Sequence, residues 1–288
     1  MKVLLAPTLS LARRSEPVAV SVEAEYGDTV VEGCRYTAAH HAPKWQGNPC
    51  PCVDYHIPLL REGETILISH SDLDTLGGVL RAMGRLDVLG PPAAGFWALA
   101  AFVDIHGPHR LHEAGASSKD VSRLWAYWAW AKGEPRFPRD QVSDVTEHVN
   151  RAAQVLLLIL GGDPGLLEKG AQMVREENEL NQRTFVFQEG PVLVRVAEAK
   201  GDFCNHLYST PGGTPGQAVV SLNKETGAIT VSLAEPTPRV SCREIVQALW
   251  GMEAGGHPGI AGSPRGKMME ETDLEKAARL LRFVLEEE

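Results

Sequence analysis

His70, Asp72 and Asp74 alternate along the chain directly after a short apolar run, and this spacing is the clearest sign of chemistry in the sequence. In an extended segment alternate side chains point to the same side, so an imidazole and two carboxylates can converge there. This mixed set of nitrogen and oxygen donors suits Mn²⁺, Fe²⁺, Mg²⁺ or Zn²⁺. We therefore predict a metal site. The alternative is that one aspartate caps the following helix and His70 is an ordinary surface residue.

A second polar group, Asp104, His106 and His109, follows the apolar residues 96–103. The apolar run predicts a buried strand, and ligands usually bind at the carboxyl ends of strands in open α/β sheets. We predict that this group extends the metal site. The alternative is a Gly-Pro turn that carries surface histidines.

Two adjacent histidines, His40 and His41, precede a Cys50-Pro-Cys52 segment. His41 is a candidate metal ligand, and the histidine pair can also join the cysteines in a zinc site. A Cys-x-Cys pair lacks the usual Cys-x₂-Cys spacing of zinc fingers, so turn residues and buried thiols are the favoured interpretation of this segment.

Gly255, Gly256 and His257 begin a glycine-rich stretch that continues to residue 262. Glycines allow the backbone to approach a ligand closely and to present N–H groups to an anion, and His257 can donate a hydrogen bond to a phosphate. Arg265 follows as a further candidate contact. The alternative is a glycine-rich connection between helices.

The elements that must position these residues follow from the hydrophobic periodicity. Residues 66–68 predict a buried strand, and Leu76, Val79, Leu80 and Met83 predict the apolar face of the next helix. A second strand and helix, over residues 96–103 and from Ser117 or Ser118 onward, repeat the order and predict an α/β sheet. Further strands are predicted at residues 191–196, 218–222 and 228–233.

These elements divide the chain into two predicted domains. Residues 1–160 form a parallel-sheet domain with the metal site, in which residues 1–60 are an unassigned extension. Residues 161–184 are a helical linker, and residues 185–288 are a smaller α/β domain. A cleft between the two domains is expected to hold the substrate.

The motifs resemble those of the DHH/DHHA1 phosphoesterases, the RecJ-like group that includes oligoribonucleases and cyclic-dinucleotide phosphodiesterases. The His70-x-Asp72-x-Asp74 segment looks like the first motif of that family, and the segment from Asp104 resembles a later Asp or Asp-His-His motif. The stretch from Gly255 is similar to the Gly-Gly-His-x-x-Ala-Gly loop of the DHHA1 domain. The chain departs from the family in that its histidines after Asp104 are not adjacent.

The resemblance implies a soluble, divalent-metal-dependent phosphodiesterase or phosphatase, with two Mn²⁺ ions or with Mg²⁺, Fe²⁺ or Zn²⁺. Its substrate would be a small nucleotide, a short single-stranded oligonucleotide or a cyclic dinucleotide. Three groups of residues would act: catalytic His70, Asp72, Asp74, Asp104 and His106; metal-binding residues, which are the same five with His109 and His41; and substrate-binding Gly255, Gly256, His257 and Arg265. One alternative is a nucleotide-binding module without turnover, and another is a hydrolase of a different ester or amide.

Composition narrows the classes of partner and compartment. The net charge of −9 argues against long duplex nucleic acid, because such binders usually carry a basic face. No apolar run is long enough for a membrane helix, and the first residues do not resemble a secretory signal. Five cysteines without framework spacing fit reduced thiols, so we expect a cytoplasmic protein. A homodimer is left open.

Overall fold

The computed structural model describes residues 1–15, 17–26, 29–41, 43–45, 47–199, 207–264 and 267–287. The chain forms two compact units, Met1–Met173 and Val174–Glu288. The predicted mixed α/β class is confirmed. No helix among the described residues combines the length and the apolar character needed to cross a membrane.

The first unit is built on a five-stranded sheet in the order β5-β2-β6-β1-β7. β1, β2, β5 and β6 are parallel to one another, as the sequence predicted, and the edge strand β7 pairs antiparallel with β1. β3 and β4 form a separate antiparallel pair. The strands are β1 (Lys2–Leu5), β2 (Val20–Val22), β3 (Glu25–Tyr26), β4 (Thr29–Val30), β5 (Tyr36–Ala38), β6 (Thr65–Ile68) and β7 (Ser143–Asp144).

Helices pack against this sheet through apolar faces, and the central strand β6 is buried along its whole length. Residues 1–60, which the sequence left unassigned, supply three of the five strands of the sheet. The helices are α1 (Leu9–Ala12), α2 (Leu73–Ala82), α3 (Leu86–Leu89), α4 (Ala94–His106), α5 (Ser118–Lys132), α6 (Thr146–Gly161) and α7 (Pro164–Thr184).

The strand predicted at residues 96–103 is wrong, because these residues lie in helix α4. A short apolar run cannot be assigned to a buried strand or a buried helix by periodicity alone. Phe96, Trp97 and Leu99 are all buried, and the other faces of α4 are apolar as well. The helix therefore lacks the polar stripe that usually identifies a helix in a sequence. Asp104 therefore lies in the last turns of a helix and not at the end of a strand.

The second unit contains a six-stranded sheet in the order β12-β13-β11-β10-β9-β8. Among its described strands, only the pair β9 and β10 is parallel. Helices α8 (Cys242–Trp250) and α9 (Glu271–Glu286) bury their apolar faces in this unit's own core. The strands are β8 (Phe185–Glu189), β9 (Val192–Ala197), β10 (Ala218–Asn223), β11 (Ala228–Leu233), β12 (Gly255–His257) and β13 (Ile260–Gly262).

Helix α7, predicted as a linker over residues 161–184, contributes to both units, since their limit falls at Met173 within it. Gly162 adopts the left-handed conformation, with φ of 87°, and ends α6 immediately before α7 begins. Glycine is favoured at such helix ends because it carries no Cβ.

Candidate metal centre

Asp74 lies in the first turn of α2 with its side chain almost fully buried. The N-terminal end of a helix stabilises a negative charge through its unpaired N–H groups and its dipole. One carboxylate oxygen, Oδ1, accepts the backbone N–H of Cys52 at 2.9 Å. The other, Oδ2, is buried without a hydrogen-bond partner and lies 3.5 Å from Nε2 of His40. Asp74 is thus fixed by one oxygen and free to bind a cation with the other.

The turn that holds Asp74 depends on a close approach between α2 and the 3₁₀ helix Pro51–Val53. Gly77 makes the approach possible, because a Cβ at this position would lie 2.8 Å from the Cα of Cys52 and 2.8 Å from the ring of Trp97. The missing side chain therefore brings the Cys52 N–H to Asp74.

Asp104 reaches the same point from α4. Its Oδ2 atom lies 3.1 Å from Nε2 of His40 and 3.6 Å from Nε2 of His41. The side chain is only 14% exposed, so its charge is largely removed from solvent. A second carboxylate is thereby placed beside Asp74 at the amino-terminal end of α2.

Glu23 follows β2 directly and completes the acidic part of the centre. Its side chain is fully buried, with Oε1 3.2 Å from Nε2 of His40 and Oε2 3.2 Å from Nε2 of His41. It has a φ of 51°, the only positive φ of a non-glycine residue in the described chain. Such a conformation costs free energy and persists where the surroundings impose it. The Glu23 N–H donates to the carbonyl of Ala38 at 2.9 Å, and the Ser69 hydroxyl donates to the Glu23 carbonyl.

His40 and His41 follow β5, and one carboxylate positions both. Oε2 of Glu25 accepts the backbone N–H of His40 at 3.2 Å and that of His41 at 3.3 Å. Their ring centroids are 4.0 Å apart, with planes tilted by 37°. Cys50 lies on the far side of the His40 ring, with its Sγ 3.8 Å from Nδ1. His40 is buried and His41 is half exposed.

The polar atoms of this cluster cannot satisfy one another by hydrogen bonds alone. Nε2 of His40 carries at most one proton but faces three carboxylate oxygens, from Glu23, Asp74 and Asp104, at 3.2, 3.5 and 3.1 Å. Four buried atoms, both Glu23 oxygens, His40 Nε2 and Asp74 Oδ2, have no hydrogen-bond partner among the described residues. Unpaired buried polar atoms are costly and call for a physical explanation.

A divalent cation would supply that explanation. Ligands about 2.1 Å from an ion are separated by about 3.0 Å in an octahedron and about 3.4 Å in a tetrahedron, close to the distances around His40 Nε2. Two overlapping groups have donor atoms within 4.8 Å of one another: His40 with Cys50, Asp74 and Asp104, and Glu23 with His40 and His41. The residues present therefore fit a metal centre.

The pKa values of these groups reflect the crowding of buried charge. Burial raises the pKa of Asp74, and the nearby Asp104 carboxylate adds to the rise. Burial also raises the pKa of Glu23, but the neighbouring His40 and His41 imidazoles outweigh this effect and hold the pKa below its ordinary value. Burial lowers the pKa of His40, yet its carboxylate neighbours raise it well above its usual range. The cluster thus places three carboxylates, from Glu23, Asp74 and Asp104, beside two imidazoles in a space largely removed from solvent.

His70 and Asp72 lie at the margin of this cluster. Asp72 caps α2, because its Oδ1 accepts the N–H of Thr75 at 2.9 Å, and its Oδ2 lies 2.9 Å from Nε2 of His70. Burial raises the pKa of Asp72, but the bond to His70 outweighs this and lowers the pKa to about 2. Nε2 of His70 is 4.0 Å from Oε2 of Glu23. The pair is therefore next to the centre, and Asp72 serves as a helix cap.

The structure does not bring His106 and His109 to the cluster. The ring of His106 packs against Phe102, with centroids 4.5 Å apart. His109 lies in the 3₁₀ helix Pro108–Glu113, folded over Gly107. Among the described residues, neither histidine belongs to a group that could hold a metal. Their predicted role as ligands has no geometric support.

The predicted substrate-binding residues lie in the second unit. Gly255, Gly256 and His257 form β12, an exposed edge strand paired with β13. A Cβ at Gly256 would lie 2.5 Å from the carbonyl oxygen of Ile260, so only glycine fits there. Arg265 lies outside the described residues.

Sequence reasoning missed Glu23 and gave little weight to His40 and Cys50. The signal for Glu23 was present: an acidic residue directly follows the apolar residues of β2, as His70 follows β6. The parallel pairing of β2 between β5 and β6 brings the ends of all three strands together. That pairing order was needed to connect Glu23, His40 and His70.

No protein-family model matches the chain, and no curated protein matches its sequence. Solved structures do. The chain is similar to a pGpG-specific phosphodiesterase, PggH, from Vibrio cholerae, with 8% identity, a TM-score of 0.44, and coverage of 79% of this chain and 82% of that one. It is also similar to RecJ from Thermus thermophilus in complex with Mn²⁺, with 15% identity, a TM-score of 0.39, and coverage of 92% and 41%.

A third similar structure is an exopolyphosphatase-related protein from Bacteroides fragilis, with 13% identity, a TM-score of 0.36, and coverage of 91% of this chain and 65% of that one. One of these three structures is RecJ, whose group the sequence motifs resemble. At these TM-scores the likeness is partial, and the geometry of the metal centre carries the functional proposal.

Proposed function

We propose that this protein is a metal-dependent phosphoesterase that hydrolyses a phosphate ester of a small nucleotide, short oligonucleotide or cyclic dinucleotide. The observation that supports this is the convergence of Glu23, His40, Asp74 and Asp104 on a point where buried oxygen and nitrogen atoms lack hydrogen bonds to the described residues. Nitrogen and carboxylate ligands suit Mn²⁺, Fe²⁺, Mg²⁺ and Zn²⁺. We favour Mn²⁺, in one or two ions, from the resemblance of the sequence motifs.

The residues have separate roles in this proposal. Asp74, Asp104, His40 and Glu23 hold the cation, and His41 adds a half-exposed imidazole on the same side. Bound divalent ions supply activated water and neutralise charge that develops on the phosphate oxygens.

His70 provides the contact to substrate on the solvent side of the centre. Asp72 fixes its ring through Nε2, and the Ser69 hydroxyl lies 2.8 Å from its Nδ1. Burial lowers the pKa of His70, but Asp72 raises it more, so the cationic form is more favourable here than in an ordinary histidine. Both ring nitrogens already face Asp72 and Ser69, so His70 acts on an anionic phosphate through its positive charge and not through a direct hydrogen bond. Gly255, Gly256, His257 and Arg265 are further proposed contacts to the substrate, carried by the second unit.

The test is hydrolysis of bis(p-nitrophenyl) phosphate, short oligonucleotides and cyclic dinucleotides by protein loaded with Mn²⁺. We expect Asp74→Asn and Asp104→Asn to abolish turnover, because each removes one anionic ligand. Asp87→Asn is the matched control, since Asp87 pairs with Arg85 on the surface, away from the centre. Full activity in the two ligand variants would contradict the proposal.

Two other results would favour the alternatives. Nucleotide binding without turnover under any divalent metal would indicate a binding module. Hydrolysis of carboxylate esters in preference to phosphate esters would indicate a different hydrolase.

A further inference from the structure

A pocket of about 320 Å³ adjoins the metal centre within the first unit. Its walls come from the ends of β1 and β6, from the end of α5 and the loop after it, and from His148 on α6. His70 and Ser69, which flank the centre, also line it. The volume is at the lower end of the roughly 300–1,000 Å³ of small-molecule sites. A group attached to a phosphate at the metal centre can therefore enter this pocket.

The inner wall of the pocket is aromatic. The ring of Trp130 stacks on that of His148, with centroids 5.8 Å apart and planes tilted by 18°. Phe137 meets the same imidazole edge to face at 5.2 Å, and Tyr127 lies 5.6 Å from Trp130. These contacts hold the rings in place, so little side-chain freedom is lost when a planar ligand binds. Aromatic side chains of this kind stack well on nucleobases.

The rim of the pocket is basic. Arg136 and Arg139 are exposed, and neither makes a hydrogen bond or ion pair with any described residue. Glu134, the one acidic residue among the described lining residues, is already engaged by Arg151 at 2.7 Å. Free guanidinium groups are well suited to phosphate oxygens. Positive charge here contrasts with the net charge of −9 of the chain.

We propose that this pocket binds the nucleobase of the substrate, with Trp130 and Phe137 contacting the base and Arg136 and Arg139 binding a phosphate of the same nucleotide. The inference rests on the proposed function for its orientation, since the scissile phosphate would lie at the metal centre. Binding in the pocket can be measured without turnover, so the two proposals can fail separately.

The experiment compares guanosine and adenosine 5′-monophosphates with ribose 5-phosphate, which lacks a base, by titration calorimetry of the Mn²⁺-loaded protein. One stacked base corresponds to a gain of about fivefold or more in affinity. We expect at least this preference for the nucleotides in the wild type. The preference should disappear in Trp130→Ala and be reduced in Phe137→Leu, a milder change that guards against misfolding of the first variant.

The arginines are tested by the same method with nucleosides and nucleoside 5′-diphosphates. Arg136→Ala and Arg139→Ala should each weaken binding of nucleoside 5′-diphosphates more than binding of nucleosides. Arg13→Ala is the matched control, because Arg13 is an exposed arginine of the same unit that lines a different pocket.

Equal affinity for ribose 5-phosphate and the nucleotides, or an unchanged preference in both aromatic variants, would overturn the proposal. If the base makes no difference to binding but the protein still hydrolyses base-free phosphodiesters, the proposed function holds and the nucleobase pocket is wrong. If binding depends on the base but no turnover is seen, the nucleobase pocket holds and the proposed function is wrong.

Discussion

Neutralising Asp74 should separate the stability of the metal-free protein from its capacity to bind cations. An asparagine oxygen can still accept the N–H of Cys52, so the substitution Asp74→Asn removes mainly the charge. Burial and the charge of Asp104 raise the pKa of Asp74, which means that the ionised form is less favourable in the folded chain than in the unfolded chain. At neutral pH, well above the ordinary pKa of aspartate, this lowers stability. We therefore expect metal-free Asp74→Asn to melt at a higher temperature than the wild type.

With a bound cation, the wild type should instead have a higher melting temperature than Asp74→Asn. A ligand that binds only the folded state at 100 times its dissociation constant stabilises it by about 2.7 kcal/mol. The first unit, Met1–Met173, is in the size class in which 1 kcal/mol changes the melting temperature by about 2–4 °C. The melting temperature of the wild type should thus rise by about 5–11 °C with Mn²⁺ at that concentration. Asp74→Asn, lacking one anionic ligand, should gain much less.

Differential scanning calorimetry with chelator and with Mn²⁺ measures both effects in one series. Asp87→Asn is again the control, and it should show the same gain with metal as the wild type. The reasoning is refuted if Asp74→Asn lowers the melting temperature of the chelated protein, or if its gain with Mn²⁺ equals that of the wild type.

Three further substitutions test the packing around the proposed sites. Gly77→Ala should destabilise the first unit by about 1–3 kcal/mol in urea unfolding and weaken metal binding, because the added Cβ pushes against Cys52. Arg195→Met should destabilise the second unit by about 3 kcal/mol or more by the same method, since this fully buried guanidinium donates several hydrogen bonds to carbonyl oxygens. Gly256→Ala should raise KM without changing Mn²⁺ affinity in calorimetry, because its Cβ would lie 2.5 Å from a carbonyl oxygen of β13. The control is Gly255→Ala, because a Cβ at Gly255 meets nothing within 4 Å.

Local patterns predicted the elements around His70 well. The apolar strand β6 and the amphipathic helix α2 follow from periodicity, whereas the parallel sheet was predicted from an alternation whose second strand, residues 96–103, is helix α4. Helix α4 was not predictable in the same way, because it is apolar on all sides. Since Asp104 lies late in this helix, its place was predicted for the wrong structural reason.

The candidate metal centre was only partly predictable, because its members are distant in sequence. Glu23, His40, Asp74 and Asp104 meet through the order of three parallel strands and the packing of two helices. No local pattern encodes that order. Asp72 illustrates a second limit: an aspartate before a helix is equally suited to capping the helix and to binding a metal, and the sequence does not distinguish the two.

The carboxylate of Glu25 accepts the backbone N–H groups of both His40 and His41, so the candidate metal centre depends on a residue outside the two candidate metal-binding groups of the described chain. A substitution of Glu25 would displace the imidazoles of both His40 and His41, whereas a substitution of one ligand leaves the other ligands in place. A saturation mutagenesis screen for loss of activity would therefore score substitutions of Glu25 as severely as substitutions of a metal ligand. Taken alone, such a screen would wrongly assign Glu25 to the metal ligands.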